Sequence, residues 1–289
     1  MLTRLFRHKW ISYILLITGV LCIAWSAIFV KLAGISGLGS GFYRMFFGFL
    51  GIIPFWLIYR KPVEDKSALR YAVLCGFYFA CDIALWNTSI MLSKAAISTL
   101  LANLAPVWVG LGALLFLKQK PKPIFWAGTI ISLMGVVFIV GIDQILQSDL
   151  NQGNILAISA SIFYGIYFLT AQKGRNKVDT LTFTTVSMLT SAVVLGLFCL
   201  ISDTQLSGFS PKTWFALAGV GLISQLSGWM AINYTLGHIK PTQASVTLLS
   251  QSVFTALFSI PVLGESLSAS EIAGAIVVLI GIYLVNSRK

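Results

Sequence analysis

Ten long hydrophobic runs constrain this chain more than any other feature of its sequence. Each run has roughly 18 to 24 residues, enough for a helix to cross a hydrocarbon core of about 30 Å at about 1.5 Å per residue. The runs leave almost nothing for a water-exposed domain: of 289 residues, 57% are hydrophobic and 10% are charged, and the mean hydropathy is +0.88. The composition therefore predicts an all-α integral membrane protein.

The runs predict ten transmembrane helices, named helix 1 to helix 10, joined by short turns and by one polar linker. In chain order their approximate bounds are 13–32, 39–59, 68–91, 95–117, 124–140, 155–172, 180–200, 213–236, 242–263 and 269–285. The polar linker, residues 143–154, separates helix 5 from helix 6. Because ten crossings return the chain to the side where it started, both termini are predicted to lie on one face of the membrane.

Lysine and arginine decide the predicted orientation. With the N-terminus in the cytoplasm, sixteen basic residues fall in cytoplasmic segments, and only Lys94 and Lys212 fall outside. The sixteen are Arg4, Arg7, Lys9, Arg60, Lys61, Lys66, Arg70, Lys118, Lys120, Lys122, Lys173, Arg175, Lys177, Lys240, Arg288 and Lys289. This positive-inside asymmetry predicts cytoplasmic termini and an external linker. The net charge of +11 is accordingly read as a topology signal and not as a nucleic-acid-binding surface, because the basic residues flank the helices.

A shift of 146 residues aligns the second half of the chain on the first. It superposes four pairs of identical residues: Asn87 and Asn233, Lys94 and Lys240, Gly128 and Gly274, and Gly135 and Gly281. We therefore expect residues 1–142 and 155–289 to be five-helix repeats. Because five is odd, the second copy enters from the opposite face, so the repeats are predicted to be inverted, a recurrent transporter design. The glycines, spaced i and i+7, predict close packing faces on helices 5 and 10, with dimerisation through those faces as the alternative.

Several function classes lack the residues they would need. The four cysteines all fall within predicted helices, without CxxC spacing or histidine partners, so neither a metal site nor a disulfide framework is predicted. Both histidines, His8 and His238, fall at the cytoplasmic boundary, and Asp82 has no second carboxylate for a catalytic dyad. An intramembrane enzyme is therefore a remote alternative. The chain has no ATP-binding loop, and no cofactor is predicted.

Asp82, near the middle of helix 3, is the most informative single residue, because an ionised side chain there costs about 2.5 to 3.5 kcal/mol. Three interpretations stay open: it meets a cationic group of a substrate, it takes up a coupled proton, or it pairs with Arg44 of helix 2. Trp86 lies one turn later and would add cation–π attraction to an ammonium group, although an interfacial tryptophan is the alternative. For Arg44 itself, snorkelling towards the outer face is favoured over anion binding.

Other polar and aromatic residues lie at comparable depth. Asn103 on helix 4 precedes Pro106, which lacks an N–H and frees a backbone carbonyl, although the amide would equally hold two helices together. The candidates in the second half are Tyr164 on helix 6, Gln225 and Trp229 on helix 8, and Gln251 on helix 9. At the 146-residue offset the polar candidates meet different residue types. A symmetric frame that carries an asymmetric substrate set would give this pattern, and so would drift.

Four segments carry a family resemblance. They are Phe42-Tyr43-Arg44-Met45-Phe46-Phe47 in helix 2, the block 95–106 (AAISTLLANLAP) that opens helix 4, Gly264-Glu265 after helix 9, and Gly274 with Gly281 in helix 10. Together they resemble the ten-helix EamA branch of the drug/metabolite transporter superfamily, and the similarity extends over nearly the whole chain.

The resemblance implies a secondary carrier of the bacterial inner membrane, with helices 1, 3, 4, 6, 8 and 9 around a central cavity and helices 2, 5, 7 and 10 outside them. It implies a small-molecule substrate, with an amino acid and export favoured, the lipid bilayer as a partner, protons as candidate coupling ions, and a monomer or weak homodimer. In that cavity Asp82 would meet a cationic group, Trp86, Trp229 and Tyr164 would pack the side chain, and Asn103 and Gln251 would supply hydrogen bonds. The rivals are multidrug or lipophilic-cation efflux, a carrier of another metabolite, and a channel.

Overall fold

The computed structural model describes residues 2–63, 66–93, 95–146, 151–264 and 266–287. Within these ranges ten helices are long and apolar enough to cross a membrane, which confirms the predicted all-α fold with ten spans. The bounds of the continuous helices are Leu2–Ala33 (helix 1), Gly37–Tyr59 (helix 2), Leu69–Leu92 (helix 3), Pro123–Val140 (helix 5), Gln152–Arg175 (helix 6), Thr180–Ile201 (helix 7) and Ala269–Ser287 (helix 10). The sidedness of the termini stays a prediction.

The other three spans are interrupted. Helix 4 consists of Ala95–Ala102 and Ala105–Phe116, and helix 9 consists of Pro241–Thr247 and Ser250–Leu263. Helix 8, Pro211–Leu236, stays continuous but contains a π-helical segment, Val220–Gly228. Because a bilayer offers no water to unpaired backbone groups, such irregular stretches occur only where protein or a polar cavity surrounds them.

Two predicted boundaries differ from the observed ones. Helix 1 begins at Leu2 and not near residue 13, because no glycine or proline interrupts its basic N-terminal stretch. The polar linker is shorter than predicted, since a short helix covers Ile142–Leu146 and helix 6 already begins at Gln152. Residues 147–150 of the linker lie outside the described residues.

Contacts divide the chain into two compact units, each drawn from both halves of the sequence. Unit 1 comprises Met1–Ala80 and Thr170–Lys240, with helices 1, 2, 7 and 8. Unit 2 comprises Cys81–Leu169 and Pro241–Lys289, with helices 4, 5, 9 and 10. Helices 3 and 6 contribute to both units. The units are thus not the predicted repeats, whose boundaries stay a prediction.

In unit 1, small residues let helices approach each other closely. A Cβ atom on Gly19 of helix 1 would lie 2.9 Å from the carbonyl oxygen of Gly228 on helix 8, and a Cβ on Gly76 of helix 3 would lie 2.5 Å from the carbonyl oxygen of Ser187 on helix 7. Distances under 3 Å leave no room for a side chain. Backbone contact of this kind is how helices gain van der Waals energy in a bilayer, where the hydrophobic effect does not drive them together.

In unit 2, helices 5 and 10 pack through the four repeated glycines, as predicted. A Cβ on Gly128 would lie 2.6 Å from the carbonyl oxygen of Gly281, and a Cβ on Gly135 would lie 2.7 Å from that of Gly274. The two helices are therefore antiparallel, and the glycine faces are occupied within the chain. The 146-residue shift interchanges these two contacts, which is what the predicted repeat requires.

Candidate functional site

The interruptions of helices 4 and 9 meet inside unit 2. The amide nitrogen Nδ2 of Asn103 donates to Oγ of Ser252 over 3.5 Å. Asn103 lies eight residues after Ala95, and Ser252 eleven after Pro241, so both are more than 10 Å along their spans at about 1.5 Å per residue. The contact therefore joins two irregular backbone segments well inside the membrane.

The two interruptions have different causes. Pro106 lacks the N–H that would bond to the carbonyl of Ala102, so helix 4 pauses at Asn103-Leu104 and restarts with the proline in its first turn. Helix 9 pauses at Leu248-Leu249 without a proline, and its restart is held by i to i+3 bonds, from Gln251 N to Leu248 O at 3.0 Å and from Ser252 N to Leu249 O at 3.2 Å. Both restarts present helix N-termini, with their partial positive charge, at membrane depth.

Helix 6 packs against the second segment of helix 4. A Cβ on Gly165 would lie 2.7 Å from Cβ of Trp108, and Nε1 of Trp108 donates to Oγ of Ser161 over 2.7 Å. Tyr164, the neighbour of Gly165, is half-buried, and its ring centroid is 5.0 Å from that of Phe168. The glycine and the serine thus fix Tyr164 beside the restart of helix 4.

Asp82 and Trp86 are half-buried on the part of helix 3 that belongs to unit 2. The indole nitrogen of Trp86 is buried and has no hydrogen-bond partner among the described residues. An indole N–H buried in this way normally finds an acceptor. Trp86 therefore carries a donor that a ligand would satisfy.

Unit 1 holds a second polar cluster around Arg44 of helix 2. The guanidinium donates from Nε to Oε1 of Gln225 over 2.7 Å and from Nη1 to Oγ of Ser26 over 3.2 Å. Gln225 and Ser26 are buried, and both lie at least seven residues from the ends of their spans. A Cβ on Gly48, one turn after Arg44, would lie 3.0 Å from Cγ of Gln225, so the absence of a side chain there lets the glutamine approach.

Two buried aromatic rings border this cluster. The Arg44 guanidinium carbon lies 5.7 Å from the ring centroid of Phe79, which lies 4.5 Å from that of Trp229 in an edge-on arrangement. Both rings are less than 5% exposed. A cation over an aromatic face is stabilised further when it is desolvated. Arg44 is therefore held by hydrogen bonds and rings, and not by snorkelling alone, as the sequence favoured.

Comparison with known proteins follows this geometry. Residues 10–141 and 151–287 match the model of the EamA-like transporter family. The chain belongs to this family. An uncharacterized transporter of Archaeoglobus fulgidus is 25% identical over 263 residues, 89% of this chain and 90% of the relative. The uncharacterized transporter YdfC of Bacillus subtilis is 22% identical over 274 residues, 94% of this chain and 89% of the relative.

A crystal structure at 16% identity superposes on this chain with a TM-score of 0.78 and covers 96% of both chains, which shows a shared fold. The predicted resemblance to the EamA branch is therefore confirmed. Family membership and the names of the relatives indicate a multi-pass membrane transporter of a small molecule and not an enzyme.

The sequence candidates thus fall into two sets. Unit 2 carries Asp82, Trp86, Asn103, Tyr164 and Gln251, of which Asn103 is next to the helix 9 restart that contains Gln251. Unit 1 brings Gln225 and Trp229 together with Arg44, as described above. The ion pair between Asp82 and Arg44 stays a prediction.

Three residues of these clusters were not among the candidates. Ser252 aligns with Pro106 at the 146-residue offset, a signal that would have marked the helix 9 interruption. Phe79 lies three residues before Asp82, on the same helical stripe. Ser26 offered no signal, because it is one of many small hydroxyl residues in apolar helices.

Proposed function

We propose that this EamA-family protein is a secondary transporter that exports a small amphipathic metabolite, an amino acid being the favoured class, across the bacterial inner membrane by alternating access. The observation that carries the proposal is the meeting of the helix 4 and helix 9 interruptions at Asn103 and Ser252. Interrupted helices at corresponding positions of two halves are the typical place where secondary transporters bind substrate.

The chemistry of unit 2 supports a zwitterionic substrate. Restarting helix N-termini favour an anionic group such as a carboxylate, and the amides of Asn103 and Gln251 would donate hydrogen bonds to it. Asp82 would attract an ammonium group, with Trp86 adding cation–π attraction. Tyr164 would pack the apolar part of the solute. All five residues belong to one compact unit.

Gln225 and Trp229 remain proposed substrate contacts, and the structure suggests how they would be prepared for it. The π-helical segment Val220–Gly228 carries Gln225 and ends just before Trp229. Insertions of this kind are frequent at functional sites. Arg44, bonded to Gln225, would orient the glutamine and supply positive charge for an anionic group.

Counterflow in proteoliposomes tests the substrate class. Vesicles preloaded with a mixed amino-acid pool are assayed for uptake of each labelled amino acid by wild type, Asp82→Asn and Trp86→Ala. Asp203→Asn and Trp10→Ala are matched controls, since both residues are exposed. Asp82→Asn should lower uptake about tenfold or more, the factor that a contact of roughly 1.4 kcal/mol supplies. Full transport with unchanged pH dependence in Asp82→Asn would exclude the binding and proton-coupling roles.

The same vesicles separate the rival functions. Exchange of lipophilic cations without exchange of any amino acid would favour multidrug efflux, which the aromatic residues of both units would also accommodate. A channel would show neither saturation nor trans-stimulation. The export direction is tested in cells loaded with the identified amino acid, where expression of the protein should accelerate release.

We also propose that the two five-helix halves are inverted repeats with cytoplasmic termini. The reciprocal glycine contacts of helices 5 and 10 support the repeat, and the positive-inside asymmetry supports the orientation. In a variant without native cysteines, Gln119→Cys should be protected in intact cells from a membrane-impermeant thiol reagent, and Ser207→Cys should react. The opposite labelling pattern would reverse the topology.

A further inference from the structure

A cavity of about 310 Å³ lies in unit 1, at the end of helix 2 and the beginning of helix 7, away from the residues proposed for transport. Its volume is at the lower end of the range of small-molecule sites, about 300 to 1,000 Å³. Leu69 and Val186 contribute to its apolar wall, and Arg60 and Lys61 are its charged residues. No acidic side chain lines it within the part of the chain that the structure describes.

The cationic side of the cavity is ordered by an aromatic ring. The guanidinium carbon of Arg60 lies 4.9 Å from the ring centroid of Trp56. The indole Nε1 of Trp56 in turn donates to Oγ1 of Thr182 over 3.2 Å, which connects helix 2 to helix 7. A stacked guanidinium keeps its N–H groups in the plane of the fork, the geometry that suits a phosphate.

The depth of the cavity matches the boundary between hydrocarbon and headgroups. Helix 2 ends at Tyr59, directly before Arg60, and helix 7 begins at Thr180, two residues before Thr182. Tryptophan is typical of this boundary, and arginine and lysine are typical of the cytoplasmic side, where the charge asymmetry predicts this end to lie. An anionic group at this depth would face cations on one side and an apolar wall on the other.

We infer that this cavity binds the headgroup phosphate of an anionic phospholipid. The phosphate contacts Arg60 and Lys61, and the first methylenes of an acyl chain lie along Leu69 and Val186. Basic pockets between transmembrane helices commonly bind lipid headgroups in this way. A bound lipid bridges helix 2 and helix 7 and stabilises unit 1, because a ligand that binds only the folded state raises stability.

Native mass spectrometry of the full-length protein in detergent tests the inference. Phosphatidylglycerol is titrated against phosphatidylcholine with the same acyl chains, and the dissociation constant of the first bound lipid is measured. The double variant Arg60→Gln/Lys61→Gln should bind phosphatidylglycerol roughly 30-fold more weakly, the factor that two basic residues at an anionic surface supply. The matched control Lys118→Gln/Lys120→Gln removes equal charge outside the cavity and should leave the affinity unchanged.

A second measurement does not depend on the folding of the double variant. Phosphatidylglycerol with brominated acyl chains should quench the fluorescence of Trp56, obtained as wild type minus Trp56→Phe, more than brominated phosphatidylcholine does. Equal quenching by the two lipids, or equal weakening in both double variants, would overturn the inference. Displacement of the lipid by soluble glycerol phosphate would overturn it as well, since the occupant would then be a soluble anion.

Discussion

Replacing Gly135 with alanine tests whether backbone contact between helices 5 and 10 holds unit 2 together. A Cβ there would lie 2.5 Å from the backbone nitrogen of Val278 and 2.7 Å from the carbonyl oxygen of Gly274, whereas ordinary contacts begin near 3.4 Å. The helices would have to separate by roughly 0.9 Å at this point, since the obstructing atoms are backbone and cannot rotate away.

The expected cost follows from two opposing effects. Overpacking of this kind costs about 1 to 3 kcal/mol. Alanine recovers up to about 1 kcal/mol of helix propensity relative to glycine. Gly196→Ala in helix 7 is the matched control, because its Cβ would meet only the ring edge of Phe42, at 3.2 Å. Gly135→Ala should therefore be less stable than Gly196→Ala by about 1 to 3 kcal/mol.

Melting of the full-length variants in one detergent, followed by size-exclusion chromatography, measures this difference. Each kcal/mol corresponds to a shift of roughly 2 to 4 °C for a chain of this size. Gly281→Ala, at the position equivalent to Gly135 in the second half, should melt early as well, since its Cβ would lie 2.5 Å from the carbonyl oxygen of Gly128. A Gly135→Ala protein that melts at or above Gly196→Ala would refute the packing argument.

Three other substitutions are predicted to lower the melting temperature in the same assay. Arg44→Lys keeps the charge but loses a fork that bonds to two side chains, which should cost about 1.5 to 3 kcal/mol. Arg175→Gln should cost a similar amount, about 1.5 to 3 kcal/mol, because Nε of Arg175 donates to the carbonyl oxygen of Asn233 over 2.9 Å. Trp108→Phe removes the donor to Ser161 and should cost about 1 kcal/mol, and a variant as stable as wild type would contradict the corresponding estimate.

The ten helices could be predicted from sequence because a bilayer leaves the backbone few alternatives. A run of about 20 apolar residues has to satisfy its own hydrogen bonds, and a helix does so within the segment. The glycine contacts between helices 5 and 10 were also predictable, since the same spacing recurs in both halves. The extension of helix 1 to Leu2 was not predicted, because hydropathy ends where the basic residues begin.

The candidate site was predictable only in part. The depth of Asp82, Asn103 and Gln225 is visible in the hydropathy pattern, whereas their partners depend on helix rotation, which the pattern does not specify. Arg44 shows the difference. Its position near the outer end of helix 2 favoured snorkelling, but the structure gives its guanidinium hydrogen-bond partners on helices 1 and 8.

The two interruptions in unit 2 differ in a way that bears on how such a carrier would work. In helix 4 the missing N–H of Pro106 makes the break a covalent property of the chain. In helix 9 Ser252 keeps its N–H, which bonds to Leu249 O at 3.2 Å, so only a small dihedral change separates this turn from a regular α-helix. The break in helix 9 is therefore maintained by its surroundings, Asn103 among them. If a substrate competes for Asn103, we expect the backbone to respond at Leu248-Leu249 in helix 9, while helix 4 keeps its shape.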